Sequence, residues 1–148
     1  MAPPAVTDLE LVADCSRCAG LCCVLLPFKR TDGFGVDKVG GDPCANLDDS
    51  NLCRIHDRLS ESGWTGCVRY DCQGAGQHVT QATYAGRDWR AGEVDLGEMA
   101  ATFSVMRVLH AHLSELDPSS PAYARTAALA MGSPEELLGL DLDALPGP

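Results

Sequence analysis

Eight cysteines, Cys15, Cys18, Cys22, Cys23, Cys44, Cys53, Cys67 and Cys72, fall within residues 15–72 of a 148-residue chain, and the rest of the sequence holds none. Thiols can pack as small hydrophobes, join as disulfides or hold soft metals. Packing accounts for isolated cysteines but not for the run Cys15-Ser-Arg-Cys18-Ala-Gly-Leu-Cys22-Cys23. A disulfide framework suits the even count, yet it needs an oxidising compartment. The opening Met1-Ala-Pro-Pro-Ala-Val-Thr-Asp lacks the basic and apolar regions of a secretory signal. Metal ligation is the remaining chemistry. Two residues between Cys15 and Cys18 let one short turn present both sulfurs to one ion. The other tetrahedral positions must then come from distant sequence, and Cys44, Cys53, Cys67 and Cys72 are available.

The adjacent pair Cys22-Cys23 sharpens this reading. In extended backbone neighbouring side chains diverge, so the pair is expected to serve two ions, to bridge within a polynuclear centre, or to ligate with one member only. Four cysteines satisfy a [4Fe–4S] cluster and would leave four over, so the count points to more than one ion. His56 follows Cys53 at a metal-binding spacing and is a candidate ninth ligand, against the plainer reading of an exposed helix-end histidine. His78, His110 and His112 are weaker candidates; the last two sit two apart on one expected helix, and such positions do not face each other. For proton transfer, His56, His78 and Asp71 are the nearest groups.

Composition narrows the function classes. The net charge is −10 and the sequence pI near 4.6, which disfavours nucleic acid, whose binding needs a basic face, and anionic membrane surfaces. The longest apolar run, Cys22 to Phe28, is far short of a membrane span. A cytoplasmic protein is expected. Residues 15–72 carry seven Lys/Arg against eight Asp/Glu, and residues 73–148 four against ten. The cysteine-rich part therefore keeps its cations, and Arg17, Arg54 and Arg69 are placed in sequence to offset thiolate charge.

With these residues in view, the chain resembles the zinc- or iron-chelating domain family named for its CxxCxxCC motif. Cys15-x-x-Cys18-x-Gly-x-Cys22-Cys23 is similar to the hallmark. Asp42-Pro-Cys44-Ala-Asn-Leu47, Leu52-Cys53-Arg-Ile-His56 and Cys67-Val-Arg-Tyr-Asp-Cys72 resemble the later steps in order. Where that family often has Arg-Pro before the penultimate cysteine, this chain reads Ser62-Gly-Trp-Thr-Gly66. Residues 15–90 also resemble the cysteine-rich N-terminal head of some bacterial pentapeptide-repeat proteins, without the tandem repeats. The resemblance implies zinc or, less favoured, an iron–sulfur cluster in a structural, metal-handling or partner-binding role. A related motif in flagellin lysine methylases supplies the rival expectation, an enzyme using the centre.

The elements that must position these ligands follow from pattern. The expected fold class is small and α-rich, an irregular metal-stabilised cysteine-rich half (residues 1–90) packed with a helical segment (residues 91–148). Thr7-Asp-Leu-Glu10 fits a capping box that would start a short helix. Residues 29–52, rich in Gly, Asp, Pro and Asn, read as loop that metal would have to pin. A short helix is expected over 53–62, with Ile55 and Leu59 on one face. Gly74 and Gly76 read as a sharp exit from the metal knot, in preference to a nucleotide-binding turn. Leu96, Met99, Phe103, Met106, Leu109, Leu113 and Leu116 define one apolar face of a helix over 93–116. Ser120-Pro121 and Ser133-Pro-Glu-Glu open two more helices, and 141–148 reads as a frayed acidic end.

Overall fold

The structure is a computed structural model that describes residues 9–147. Its longest element, the helix Leu96–Ser114, starts where Asp95 accepts a hydrogen bond from the Glu98 amide at 2.9 Å. Met99, Phe103, Met106, Leu109 and Leu113 form its buried face. Thr102 and His110 are buried on it as well, which the apolar pattern did not anticipate. Pro121–Ala130 is capped by Ser120, and Pro134–Leu138 carries a capping box between Ser133 and Glu136. Both helices fold back against Leu96–Ser114.

The cysteine-rich part supplies shorter pieces: α1 (Leu21–Leu25), α2 (Thr65–Arg69) and α3 (Ala75–His78), which runs on through a π-helical turn, Val79–Thr83. The helices above are accordingly α4, α5 and α6. Among the described residues there is no β-strand, only the bridges Phe28–Lys38 and Leu47–Cys53. The protein is small and helical, as expected.

One hydrophobic core crosses the two segments. Ala19, Leu21, Ala75, Val79 and Tyr84 pack with Met99, Phe103, Met106, Leu109, Ala130 and Leu137. Inside it the Tyr84 hydroxyl meets Thr102 Oγ1 at 3.0 Å and Glu98 at 2.9 Å, so a buried phenol is satisfied. A smaller core gathers Phe28, Cys44 and Trp64, with Phe34 stacked on Phe28 at 4.4 Å.

Two expectations are corrected. Residues 53–62 make only one 3-10 turn, His56–Arg58. Cys53 is held in the bridge to Leu47, and Ile55 (φ −116°, ψ 17°) leaves the helical region. Ile55 and Leu59 still pack together, on the smaller core. The acidic end is not frayed over its described length. Leu142 and Leu145 lie on the main core, and the Pro146 carbonyl sits 2.6 Å from His112 Nε2. The capping box at Thr7 lies in part outside the described residues.

Candidate metal centre

Each sulfur is delivered by a short, separately pinned piece of backbone. Cys15 opens a 3-10 turn capped by Asp14, whose carboxylate accepts from the Ser16 amide and from Arg17 Nε. The next residues are clamped from α3 and the loop behind it. Gln77 accepts from the Asp14 amide and donates to the Val12 carbonyl; Thr80 Oγ1 accepts from the Ala19 amide; Trp89 Nε1 donates to the Ala19 carbonyl. Gly20 then turns into α1 at φ +73°, with Leu47 so close that a Cβ would meet it at 2.7 Å. The Leu21 amide points at Cys18 Sγ, 3.5 Å away, an orientation that favours the thiolate form.

Cys22 and Cys23 occupy α1, not extended backbone, and their sulfurs stand 4.0 Å apart. They nevertheless part company. Cys22 packs with Cys18 and Cys72 against the main core, and Cys23 with Cys44 and Cys67 against the smaller one. Cys44 is tied to this pair through its amide, which donates to the Cys23 carbonyl at 2.9 Å. Around Cys53, the turn at Asp48–Leu52 is held by Arg90, which donates to Asn51 Oδ1 and the Asp48 carbonyl. Cys67 lies in α2. Cys72 precedes Gln73, which adopts a left-handed φ of +54° and is fixed by Asp71, Ser114 and His110.

These pieces converge. Cys15, Cys18, Cys22, Cys23, Cys53, Cys67 and Cys72 line one cavity of about 250 Å³ together with His56, whereas Cys44 is buried and does not line it. Beside it, Cys15, Cys18, Cys22 and Cys72 line a void of about 10 Å³ together with Gly76 and Phe103. The sequence grouped these residues only by order; the fold packs Cys18, Cys22 and Cys72 on the main core and Cys23, Cys44 and Cys67 on the smaller one, with Cys15 beside the first three at the void. Among the described residues, no group of three or more His, Cys, Asp or Glu side chains is drawn together closely enough to hold an ion as it stands.

The donor chemistry suits a soft cation. Burial raises the Cys15 and Cys67 thiols to about 12 and Cys18 to about 11, and nearby sulfurs add to the rise. Cys22 is held well above its ordinary value, first by its contact with Cys23 and then by burial. Thiols crowded this way are neutral at pH 7 and become thiolates only beside a compensating cation. Gly76 adds a steric argument. A Cβ there would lie 2.7 Å from Cys18 Sγ and 3.7 Å from Cys72 Sγ, so glycine keeps room for the sulfurs where alanine would favour the helix.

Other candidates fall elsewhere. His78 and His110 meet edge to face in the helical core, centroids 5.1 Å apart, and His112 faces Pro146. Neither His78 nor Asp71 lines the sulfur cavity. Arg17 pairs with Glu10 and Asp14, while Arg54 and Arg69 donate to the Ala45 and Asp32 carbonyls; the three arginines are engaged away from the sulfurs. The clamps Gln77, Thr80 and Trp89 were missed, because long-range hydrogen bonding leaves no spacing in a sequence.

The chain is 48% identical over 101 residues to an uncharacterized protein, YybG, of Bacillus subtilis (strain 168). The match covers 68% of this chain and 36% of YybG, so the chain spans little more than a third of that relative. No family model and no solved structure matches the chain.

Proposed function

We propose that the chain is a thiolate metal-binding module whose eight cysteines hold more than one ion, zinc in preference to iron–sulfur, in a structural, metal-handling or partner-binding role. The observation that carries this reading is the convergence of seven of the eight sulfurs on one cavity, with Cys22 and Cys23 at the junction of the two cores. The void among Cys15, Cys18, Cys22 and Cys72 is lined by four sulfurs, the number that a single zinc bound tetrahedrally takes. Closing a site requires the thiols that line the cavity to move together, and the binding energy of the metal would drive that movement. The CxxCxxCC resemblance agrees with this reading.

Elemental analysis of anaerobically purified protein tests it. About two zinc ions per chain are expected, the number that two four-sulfur sites take. A brown protein with broad visible absorption and matching iron and sulfide would replace zinc with iron–sulfur. Absence of stoichiometric metal, with a fold unchanged by chelator, would overturn the proposal.

One observation favours the rival reading of a catalytic centre. A surface groove of about 830 Å³ opens onto Cys15, Cys53, Cys67 and His56, a route by which a small substrate could reach a metal with a displaceable ligand. Perturbation of the cobalt-substituted spectrum by added azide would support this; a spectrum indifferent to azide would favour closed sites.

A further inference from the structure

Buried polar groups are almost always hydrogen-bonded, and an orphan calls for an explanation. Among the described residues, Tyr70 Oη, Arg107 Nε, Thr83 Oγ1 and the Nε2 atoms of His78 and His110 are buried without a partner. Only Tyr70 of these lines the sulfur cavity, and it forms part of the groove wall as well. Arg107, on α4, lies beside the phenol, close enough for its charge to act on it; its Nε has no partner, while its Nη2 donates to Ser104 Oγ at 3.5 Å. The same guanidinium stacks 5.0 Å over the Phe103 ring, and Phe103 lines the small void with Cys15, Cys18, Cys22 and Cys72. The phenol, with the guanidinium beside it, thus stands on the cavity that Cys22 and Cys72 help to line.

Of the other cations near the centre, Arg58 lines the groove beside Cys53 and pairs with the exposed Asp57, and the rest are engaged by carbonyls or carboxylates. Lys38, which faces Cys23 and Cys44, donates to the Val24, Leu26 and Val39 carbonyls, and Arg17, Arg54 and Arg69 are engaged as described. A four-thiolate zinc site carries a net negative charge, and its sulfurs accept hydrogen bonds readily. The orphaned pair matches that demand in charge, donor type and position.

We propose that Tyr70 and Arg107 are positioning residues of the metal centre, held as hydrogen-bond donors for the anionic face of its Cys15/Cys18/Cys22/Cys72 half. The inference rests on the metal-binding reading above. It also gives the helical segment a function beyond packing: α4 brings a guanidinium to the phenol that lines the centre.

The test compares Tyr70→Phe, Arg107→Gln and the charge-keeping Arg107→Lys with wild type and with Thr83→Val, which removes an orphaned hydroxyl away from the sulfurs. Zinc is titrated against a chromophoric chelator, and cobalt-substituted protein is read by its sulfur-to-metal charge-transfer bands. Tyr70→Phe and Arg107→Gln are expected to weaken one of the zinc sites about 10–100-fold, as loss of an outer hydrogen bond does, and to move the cobalt bands to longer wavelength because the sulfurs become more electron-rich. Arg107→Lys should fall between them and wild type, and Thr83→Val should match wild type. Wild-type zinc affinity and cobalt bands in both Tyr70→Phe and Arg107→Gln would overturn the inference and leave the metal-binding reading standing. A wild-type protein that takes up no metal would overturn both.

Discussion

At the scale of single residues, the sulfurs are governed by what surrounds them. Gly76 sits in a helix, where Gly→Ala ordinarily stabilises by about 1 kcal/mol. Here the added methyl would press on Cys18 and Cys72. Gly76→Ala should therefore lower the metal content of the purified protein by about one ion of the two expected for two four-sulfur sites, while leaving α4–α6 folded; elemental analysis alongside circular dichroism reads both. The raised thiols give a pH dependence with a definite sign. Metal must displace their protons, so apparent zinc affinity should fall as pH falls, about tenfold per pH unit for each proton released. In the metal-free protein the sign is reversed. Thiols raised on folding stabilise the fold below their ordinary value near 9 and lose that contribution as pH rises towards about 12. Chelated protein should thus melt at lower temperature above pH 9, and zinc should abolish the trend.

At the scale of elements, α4 connects the halves through His110. Its Nδ1 lies 2.7 Å from the Gln73 carbonyl, next to Cys72, and its ring abuts His78 from α3. Burial depresses His110 to about 4, with the Gln73 carbonyl opposing and His78 adding to the fall. A histidine whose value drops on folding contributes stability above its ordinary value near 6.5 and loses it as pH falls through the depressed one. The shift is on the order of 3 kcal/mol. The midpoint of the helical melt should accordingly decline between pH 6.5 and 4, and His110→Gln, which keeps a donor for Gln73, should flatten that decline. An unchanged slope would assign the acid sensitivity to other groups.

At the scale of the whole molecule, the cysteine-rich segment orders a long irregular stretch with few large apolar side chains, whereas α3–α6 share a continuous core. Chelation should release amide protection over residues 15–72 and keep it in α3 and in α4–α6, as hydrogen exchange would show; uniform protection after chelation would contradict a metal-dependent fold. How much of this was legible beforehand depends on the range of the interactions. The α4 face, the Ser120 and Ser133 caps and the candidate ligand set follow from spacing, because helical periodicity and turn chemistry are local. The single turn at His56–Arg58 was not legible, because the bridge from Leu47 to Cys53 overrides a helical pattern. Nor was the ordered end, since Pro146 is held by His112 on a helix far away in sequence. By itself, then, the sequence determined that eight sulfurs lie in one segment beside a helical one. Only the tertiary structure decided how they pack on two cores either side of Cys22 and Cys23, which oxygens engage Arg17, Arg54 and Arg69, and that the Tyr70 phenol stands buried on the sulfur cavity. The reason is physical: a ligand's type is a property of its residue, but its neighbours are set by which distant surfaces the core brings together.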